Sequence, residues 1–83
     1  MNRRLSANAI AELEFLARYE LSSLQAGIKV HHDAPVDVIA AAERLFEKGM
    51  VSQKDGGYLT DRGIETAESL RRALDSIGEN AFS

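Results

Sequence analysis

The residues best suited to chemistry in this sequence are two adjacent histidines and an aspartate, His31, His32 and Asp33. Imidazole and carboxylate groups are common zinc ligands, and imidazole titrates near neutral pH. The segment around them alternates as an extended strand does, so that neighbouring side chains point in opposite directions. At most two of the three could share one ion, and the sequence has no further histidine and no cysteine. We therefore expect no metal site and no cofactor.

The sequence carries no pattern that is typical of an active site. It has no cysteine nucleophile, no Gly-x-Ser-x-Gly turn and no glycine-rich phosphate loop. Asp55-Gly56-Gly57 has the composition of a tight turn between two strands. We expect a protein that is not an enzyme and has no small-molecule substrate.

The charge distribution bears on nucleic-acid binding. Ten basic and thirteen acidic residues give a net charge of -3, whereas a duplex-binding domain usually shows a basic face. The segments 35–48 and 61–77 each hold more acidic than basic residues, and only Arg3 and Arg4 stand together without an acid. The candidate nucleic-acid contacts are therefore few: Arg44, Lys48 and Lys54.

A helix is predicted to begin after Ser6, which is a good N-cap, and to run to about residue 20 or slightly beyond. Its helical periodicity predicts one apolar stripe, formed by Ile10, Leu13, Leu16, Ala17, Leu21 and Leu24. Whether one long helix or two shorter ones cover residues 7–27 stays open at this point. The side chains of residues 27–33 follow an alternating pattern, and the segment contains β-branched residues, which favours an extended segment.

A second helix is predicted over 35–48, with Asp33 as its cap, Pro35 in its first turn and Gly49 just after its end. Its buried residues should be Val38, Ile39, Ala42, Leu45 and Phe46. Its outward face, where a DNA-reading helix would carry its contacts, should be Asp37, Ala40, Ala41, Arg44 and Lys48. An aspartate and two alanines there favour contact with a protein over base reading.

Two short strands, 50–53 and 58–60, should form a hairpin that turns at Asp55-Gly56. Thr60 should cap a last helix, which Gly78 ends. The apolar stripe of that helix consists of Ala67, Leu70, Leu74 and Ile77. The order of elements predicts a mainly α fold with a small β-hairpin, winged-helix-like: helix, short helix or turn, helix, two-stranded wing, C-terminal helix. Residues 1–83 should form one domain, with residues 1–5 and 79–83 frayed.

Two stretches, 45–51 and 55–63, resemble MarR-like and PadR-like regulators, in which a recognition helix runs through a glycine into the wing and a Leu-Thr-x-x-Gly step opens the next helix. Nearly the whole chain resembles an uncharacterised family of bacterial proteins of about this length, through the runs 27–34 and 56–60. Some members of that family are labelled as related to inhibitors of DNA binding. One departure is the extended run 27–34, since a helix-turn-helix usually joins its helices by three or four residues.

The aromatic pair Phe15 and Tyr19 lies opposite the apolar stripe of the first helix. Either the last helix packs there inside the domain, or the first and last helices, with Arg71, form a dimer face. We expect a non-catalytic interaction module that forms a homodimer and is associated with transcription control. The alternative is a duplex DNA-binding regulator that uses helix 35–48 and wing 50–60. No signal peptide or membrane span is visible, so we expect a cytoplasmic protein with no membrane contact.

Overall fold

The computed structural model describes residues 4–22 and 26–78. Within these ranges the chain forms three helices and one antiparallel sheet of three strands. The elements in chain order are α1 (Ala7–Ala17), β1 (Ile28–Lys29), α2 (Val36–Glu47), β2 (Val51–Gln53), β3 (Gly56–Leu59) and α3 (Asp61–Ser76). The expected mainly α fold with a small β component is confirmed at this level.

Helix α1 begins where its cap predicts and ends earlier than expected. The Ser6 hydroxyl accepts a hydrogen bond from the backbone N–H of Ala9 at 3.0 Å. The last helical residue is Ala17, so the prediction of a helix to about residue 20 was wrong, as was one continuous helix over 7–27. A short second helix before Gly27 would fall partly on residues 23–25, which lie outside the described residues.

The sheet has three strands where the sequence predicted a two-stranded wing. Its strand order is β1-β3-β2, and β1 comes from the segment predicted to be extended. Strand β1 pairs with β3 through Ile28 opposite Gly57 and Lys29 opposite Gly56. This pairing joins residues almost thirty positions apart in the chain, and no local pattern specifies such a partner.

The hairpin turn lies one residue earlier than predicted. Lys54 and Asp55 form the turn, and β3 already begins at Gly56. The two glycines adopt positive φ angles of 112° and 77°, as the turn chemistry predicts, and the register of β2 against β3 shifts beside them. A Cβ on Gly56 would lie 2.4 Å from the carbonyl oxygen of Ile28, so β1 can approach only because this residue is glycine.

Helix α2 starts without the cap that was predicted. Pro35 occupies the N-cap position, with no side-chain hydrogen bond, so Asp33 does not cap the helix and Pro35 is not in its first turn. At the other end Gly49 has φ 77°, which confirms the predicted left-handed residue. The N–H of Gly49 bonds the carbonyl of Phe46 and the N–H of Met50 bonds that of Leu45, the arrangement of a Schellman motif.

Helix α3 begins and ends as the sequence predicts. The Thr60 hydroxyl accepts a hydrogen bond from the N–H of Gly63 at 3.1 Å, and Gly78 follows the helix with φ 82°. Ala67 is buried and Leu70 and Leu74 are half-buried, but Ile77 is 77% exposed. Burial of the predicted stripe therefore decreases towards the C-terminal end of α3, because the last turn extends beyond the elements that cover the helix.

The core lies between the helices and the sheet. Its buried cluster consists of Phe15, Leu16, Tyr19, Ala42, Leu45 and Val51. Two predictions of buried residues were wrong. Helix α1 buries its aromatic side, leaving Ile10 43% exposed, and α2 leaves Phe46 39% exposed. Both helices carry apolar residues over more than half of their circumference, so periodicity alone could not fix their rotation.

Candidate interaction surface

Phe15 and Tyr19, the residues expected at a dimer interface, lie inside the domain. They are 2% and 3% exposed, and their rings meet edge to face with centroids 5.8 Å apart. The Tyr19 hydroxyl donates a hydrogen bond to the carbonyl oxygen of Gly57 at 2.9 Å. Burial raises the pKa of Tyr19 to about 12, although the charge of Arg18 acts in the opposite direction. The pair therefore joins α1 to the sheet and offers no surface to a partner.

Glu12 is the buried charged residue that sequence reasoning missed. It is 8% exposed, and its carboxylate accepts a hydrogen bond from Arg44 Nε at 2.7 Å and another from Lys48 Nζ. Burial raises the pKa of the Glu12 carboxyl, but the hydrogen bonds and charges of Lys48 and Arg44 lower it by more, so the pKa lies below its ordinary value. The sequence did contain a signal for this burial, because the helical spacing of Glu12, Phe15, Leu16 and Tyr19 places all four on one side of the helix.

This ion-pair group changes the assignment of Arg44 and Lys48. Both were candidate nucleic-acid contacts on the predicted outward face of α2, yet their charged groups are turned to α1 and bound to Glu12. Ala41, from the same predicted face, is completely buried. The prediction of that face was wrong at Ala41, because the small side chains of Ala41 and Ala42 let α2 pack closely against its neighbours, whereas Asp37 is exposed as predicted.

The face of α2 that points away from the core is a different one, which we call the α2 outer face. Val36 is 84% exposed, Phe46 is 39% exposed, and Glu43 and Glu47 are exposed. Ile39 and Ala40 are half-buried on the same side. The α2 outer face consists of Val36, Ile39, Ala40, Glu43, Phe46 and Glu47. It carries acids and apolar groups in the position where a DNA-reading helix needs donors and positive charge.

Apolar side chains of α1, α3 and the turn after α1 surround a small cavity of about 10 Å³, and we call the surface over it the α1/α3 groove. Its lining residues are Leu16, Ala17, Tyr19, Leu21, Ala67, Leu70, Arg71 and Leu74. Arg71, expected beside Phe15 and Tyr19 in an interface, lies here and is half-buried. The unburied part of the predicted α1 stripe, Ile10 and Leu13, continues one side of the groove, and Ile77 continues the helix on the other. The structure thus places the first and last helices side by side, with α1 rotated relative to the prediction.

The histidine segment borders an open cleft of about 450 Å³ between α2, β1 and the hairpin turn. Its lining residues are Lys29, Val30, His31, His32, Ile39, Glu43, Lys54 and Asp55. Lys54, the third candidate nucleic-acid contact, therefore lies among mixed charges, apart from Arg44 and Lys48. Among residues 4–22 and 26–78, no group of three histidine, cysteine, aspartate or glutamate side chains is placed to hold a metal ion.

Two further properties concern the helices of the described residues. Residues 26–78 are described without a gap, and between β1 and β2 they contain a single helix, α2, so no helix-turn-helix forms there. None of the helices in the described residues has the length and apolar character needed to cross a bilayer.

Residues 3–78 match the model of a family described as "Family of unknown function (DUF5669)". No curated protein and no solved structure matches the chain. The match covers almost the whole chain and agrees with the expectation of an uncharacterised family of small proteins. The chain belongs to the family DUF5669, a family of unknown function.

Proposed function

We propose that this protein is a non-catalytic, winged-helix-like interaction module that forms a homodimer through the α1/α3 groove. The hairpin after α2 takes the place of a wing, and the third strand of its sheet comes from β1. The partner is a second copy of the chain. In this proposal Phe15 and Tyr19 support the dimer face from inside, and the residues that touch the partner are the apolar side chains on the outside of the two helices.

The observation that carries the proposal is the exposed apolar surface around the groove. Ile10 is 43% exposed and Ile77 is 77% exposed, so both helices present a large apolar side chain to solvent. Leu13 of α1 is half-buried, as are the groove residues Ala17, Leu21, Leu70 and Leu74. Two neighbouring helices that both leave an apolar stripe partly uncovered are typical of a helix-mediated dimer interface.

The size of the core supports self-association. Eight apolar residues are buried in the described part of the chain, and three of them are alanines. A domain of this size buries only about 60–65% of the surface of its unfolded chain, and such domains often gain stability from a partner. Since the chain has no cysteine, a disulfide cannot supply that stability.

Duplex binding, the alternative function, receives less support. Two of its three candidate contacts, Arg44 and Lys48, direct their charge to Glu12. The α2 outer face would bring Glu43 and Glu47 towards phosphates, and like charges repel. A role in transcription control would therefore act through a protein contact.

The experiment is sedimentation equilibrium of wild type, Leu74→Glu and Ile77→Glu. Wild type should dimerise, and each charged variant should weaken dimerisation by about tenfold or more, because a carboxylate would be buried in an apolar interface. Ile77 is exposed in the monomer, so this variant keeps its fold, which circular dichroism checks.

Gln53→Glu is the control, since it adds the same charge at an exposed position of β2, away from the groove. It should dimerise as wild type does. Wild type that stays monomeric at millimolar concentration would refute the homodimer, as would dimers that persist unchanged in both groove variants.

A further inference from the structure

The α2 outer face is a second unpaired surface, separate from the α1/α3 groove. Its apolar members are not isolated: Val36, Ile39 and Phe46 lie within three turns of one helix on the side away from the core. Val36 is the most exposed large apolar residue of the described chain. A single exposed valine would need no explanation, but an apolar row along one helix favours a contact surface.

The negative charge of the α2 outer face comes from two exposed glutamates. Helix α2 and its C-cap carry two cations, Arg44 and Lys48, and both are bound by this buried carboxylate from α1. The acids of α2, Asp37, Glu43 and Glu47, form no salt bridge with another residue of the described ranges. Two of them, Glu43 and Glu47, belong to the α2 outer face. The α2 outer face is thus apolar and negatively charged, while both cations of the helix end are held on the side of Glu12.

Lysine and histidine side chains lie across the open cleft from Ile39 and Glu43. Lys29 and the histidines come from β1 and the loop after it, and Lys54 comes from the hairpin turn. Glu43 and Ile39 line the cleft from the α2 side, whereas Val36, Phe46 and Glu47 do not line it. A bound segment would therefore lie along the helix, with its cationic groups near Glu47 and near Glu43, which stands at the edge of the cleft.

We propose that the α2 outer face binds a cationic amphipathic segment of another protein. The apolar side of the segment packs on Val36, Ile39 and Phe46, and its lysine or arginine groups pair with Glu43 and Glu47. Charge complementarity selects this partner over duplex DNA or an anionic membrane, which these acids would repel. The inference rests on the proposed role as an interaction module, but it uses a different face from the dimer.

The test uses a fluorescein-labelled synthetic peptide of leucine and lysine that forms an amphipathic helix, with binding followed by fluorescence anisotropy. Wild type should bind the peptide, and the double variant Glu43→Lys/Glu47→Lys should weaken binding by about tenfold or more. Val36→Ser should weaken it several-fold, since it removes apolar contact without changing charge. An analogous peptide of leucine and glutamate should not bind wild type.

The control is Glu65→Lys/Glu68→Lys, which makes the same change in net charge on exposed positions of α3. It should bind as wild type does. Equal losses in the two double variants would overturn the proposal, because the peptide would then respond only to net charge. Binding unaffected by all of these variants, or no binding by wild type, would also overturn it.

Sedimentation of the same variants separates this inference from the proposed function. Glu43→Lys/Glu47→Lys should dimerise as wild type does, since the α1/α3 groove is unchanged. A wild type that binds the peptide as a monomer would refute the homodimer and leave the α2 outer face supported. A wild type that dimerises but does not bind the peptide would refute only the inference about the α2 outer face.

Discussion

At the scale of single residues, Glu12 has the largest influence on what the surface offers. Its carboxylate is buried between α1 and α2 and accepts hydrogen bonds from Arg44 and Lys48. A buried carboxylate without such partners would be strongly destabilising, and each cation gains a defined position from it. One carboxylate holds two cations, so the group keeps one net positive charge, and half of the Lys48 side chain stays exposed. This buried residue therefore fixes where the positive charge of α2 lies.

Glu12→Gln should lower the free energy of unfolding at neutral pH by about 1–3 kcal/mol, because two charge-assisted hydrogen bonds become weaker. Half of the Lys48 side chain is exposed, so solvent compensates part of the loss. Glu14→Gln, at an exposed position of the same helix, is the control and should change stability little. Urea unfolding at pH 7 measures both. A Glu12 variant as stable as the control would contradict the structural role of the ion-pair group.

The pH dependence of this difference follows from the pKa of Glu12. The folded-state pKa lies below the ordinary value of 4.5, so the unfolded chain takes up the proton first as the pH falls. The contribution of Glu12 is therefore fully present above about pH 4.5 and decreases as the pH falls through the lowered pKa. The gap in unfolding free energy between wild type and Glu12→Gln should narrow over that range, and a gap that widens in acid would be the wrong sign.

Tyr19 gives a prediction at the opposite end of the pH scale. Tyr19→Phe should cost about 1 kcal/mol at neutral pH, because the carbonyl oxygen of Gly57 loses its donor. Since burial raises the folded-state pKa from 10.0 to about 12, the unfolded chain releases the proton first, and wild type should lose stability as the pH rises from about 10 to 12. Tyr19→Phe should lack this component. Tyr58→Phe, the control on β3, should retain it in pH-dependent urea unfolding.

At the scale of elements, the junction between β2 and α3 explains the Leu-Thr-x-x-Gly step. Met50 lies just before β2, and its carbonyl oxygen accepts a hydrogen bond from the N–H of Thr60. The first turn of α3 passes directly over this oxygen. Gly63 is buried in that turn, and a Cβ there would lie 2.0 Å from the Met50 oxygen. The helix start and the strand are in contact backbone to backbone, so the motif serves packing.

Gly63→Ala should therefore destabilise the protein, although alanine inside a helix is ordinarily favoured over glycine by about 1 kcal/mol. The close approach to Met50 involves backbone, which cannot move aside as a side chain does, and we expect a loss of about 1–3 kcal/mol. Thermal unfolding measures it. Stabilisation by the variant would show that the junction is looser than the structure has it.

Gly49→Ala is the contrasting substitution. Gly49 has φ 77° with open space around the position of a Cβ, so only backbone strain acts, at about 1–2 kcal/mol. Amide spectra should show the difference between the two variants. Gly63→Ala should shift the signals of Met50 and Thr60, whereas Gly49→Ala should leave the hydrogen bond between these two residues unchanged.

At the scale of the whole molecule, the thin core makes each large side chain important. A domain of this length has a free energy of unfolding of about 4–12 kcal/mol. Phe15→Ala should cost about 3–5 kcal/mol, because Phe15 is 2% exposed in the central cluster. We therefore expect partial or complete unfolding of the variant by circular dichroism. Phe46→Ala, at a position 39% exposed, should cost clearly less. A Phe15→Ala variant that stays folded and loses only dimerisation would show that the Phe15 ring belongs to the dimer interface.

The sequence by itself determined the features that depend on neighbours within a few residues. Ser6 and Thr60 cap their helices, and Gly49 and Gly78 follow theirs with positive φ, because the hydrogen bonds and backbone angles involved are local. The positive φ angles of Gly56 and Gly57 are also local features that the sequence predicted, although the turn lies one residue earlier than predicted. The sequence also predicted that the first and last helices belong together, either packed inside the domain or as a dimer face, and the structure brings α1 and α3 into contact.

Only the tertiary structure decided how the elements are rotated and paired. Helix α1 is apolar on two sides, and burial of apolar area has no direction of its own, so the sheet decided that Phe15 and Tyr19 face inward and Ile10 outward. The partner of β1 and the cations around Glu12 lie about thirty residues away in the chain. Such contacts exist only once the chain has closed on itself, and both candidate surfaces, the groove and the α2 outer face, are what that closure left uncovered.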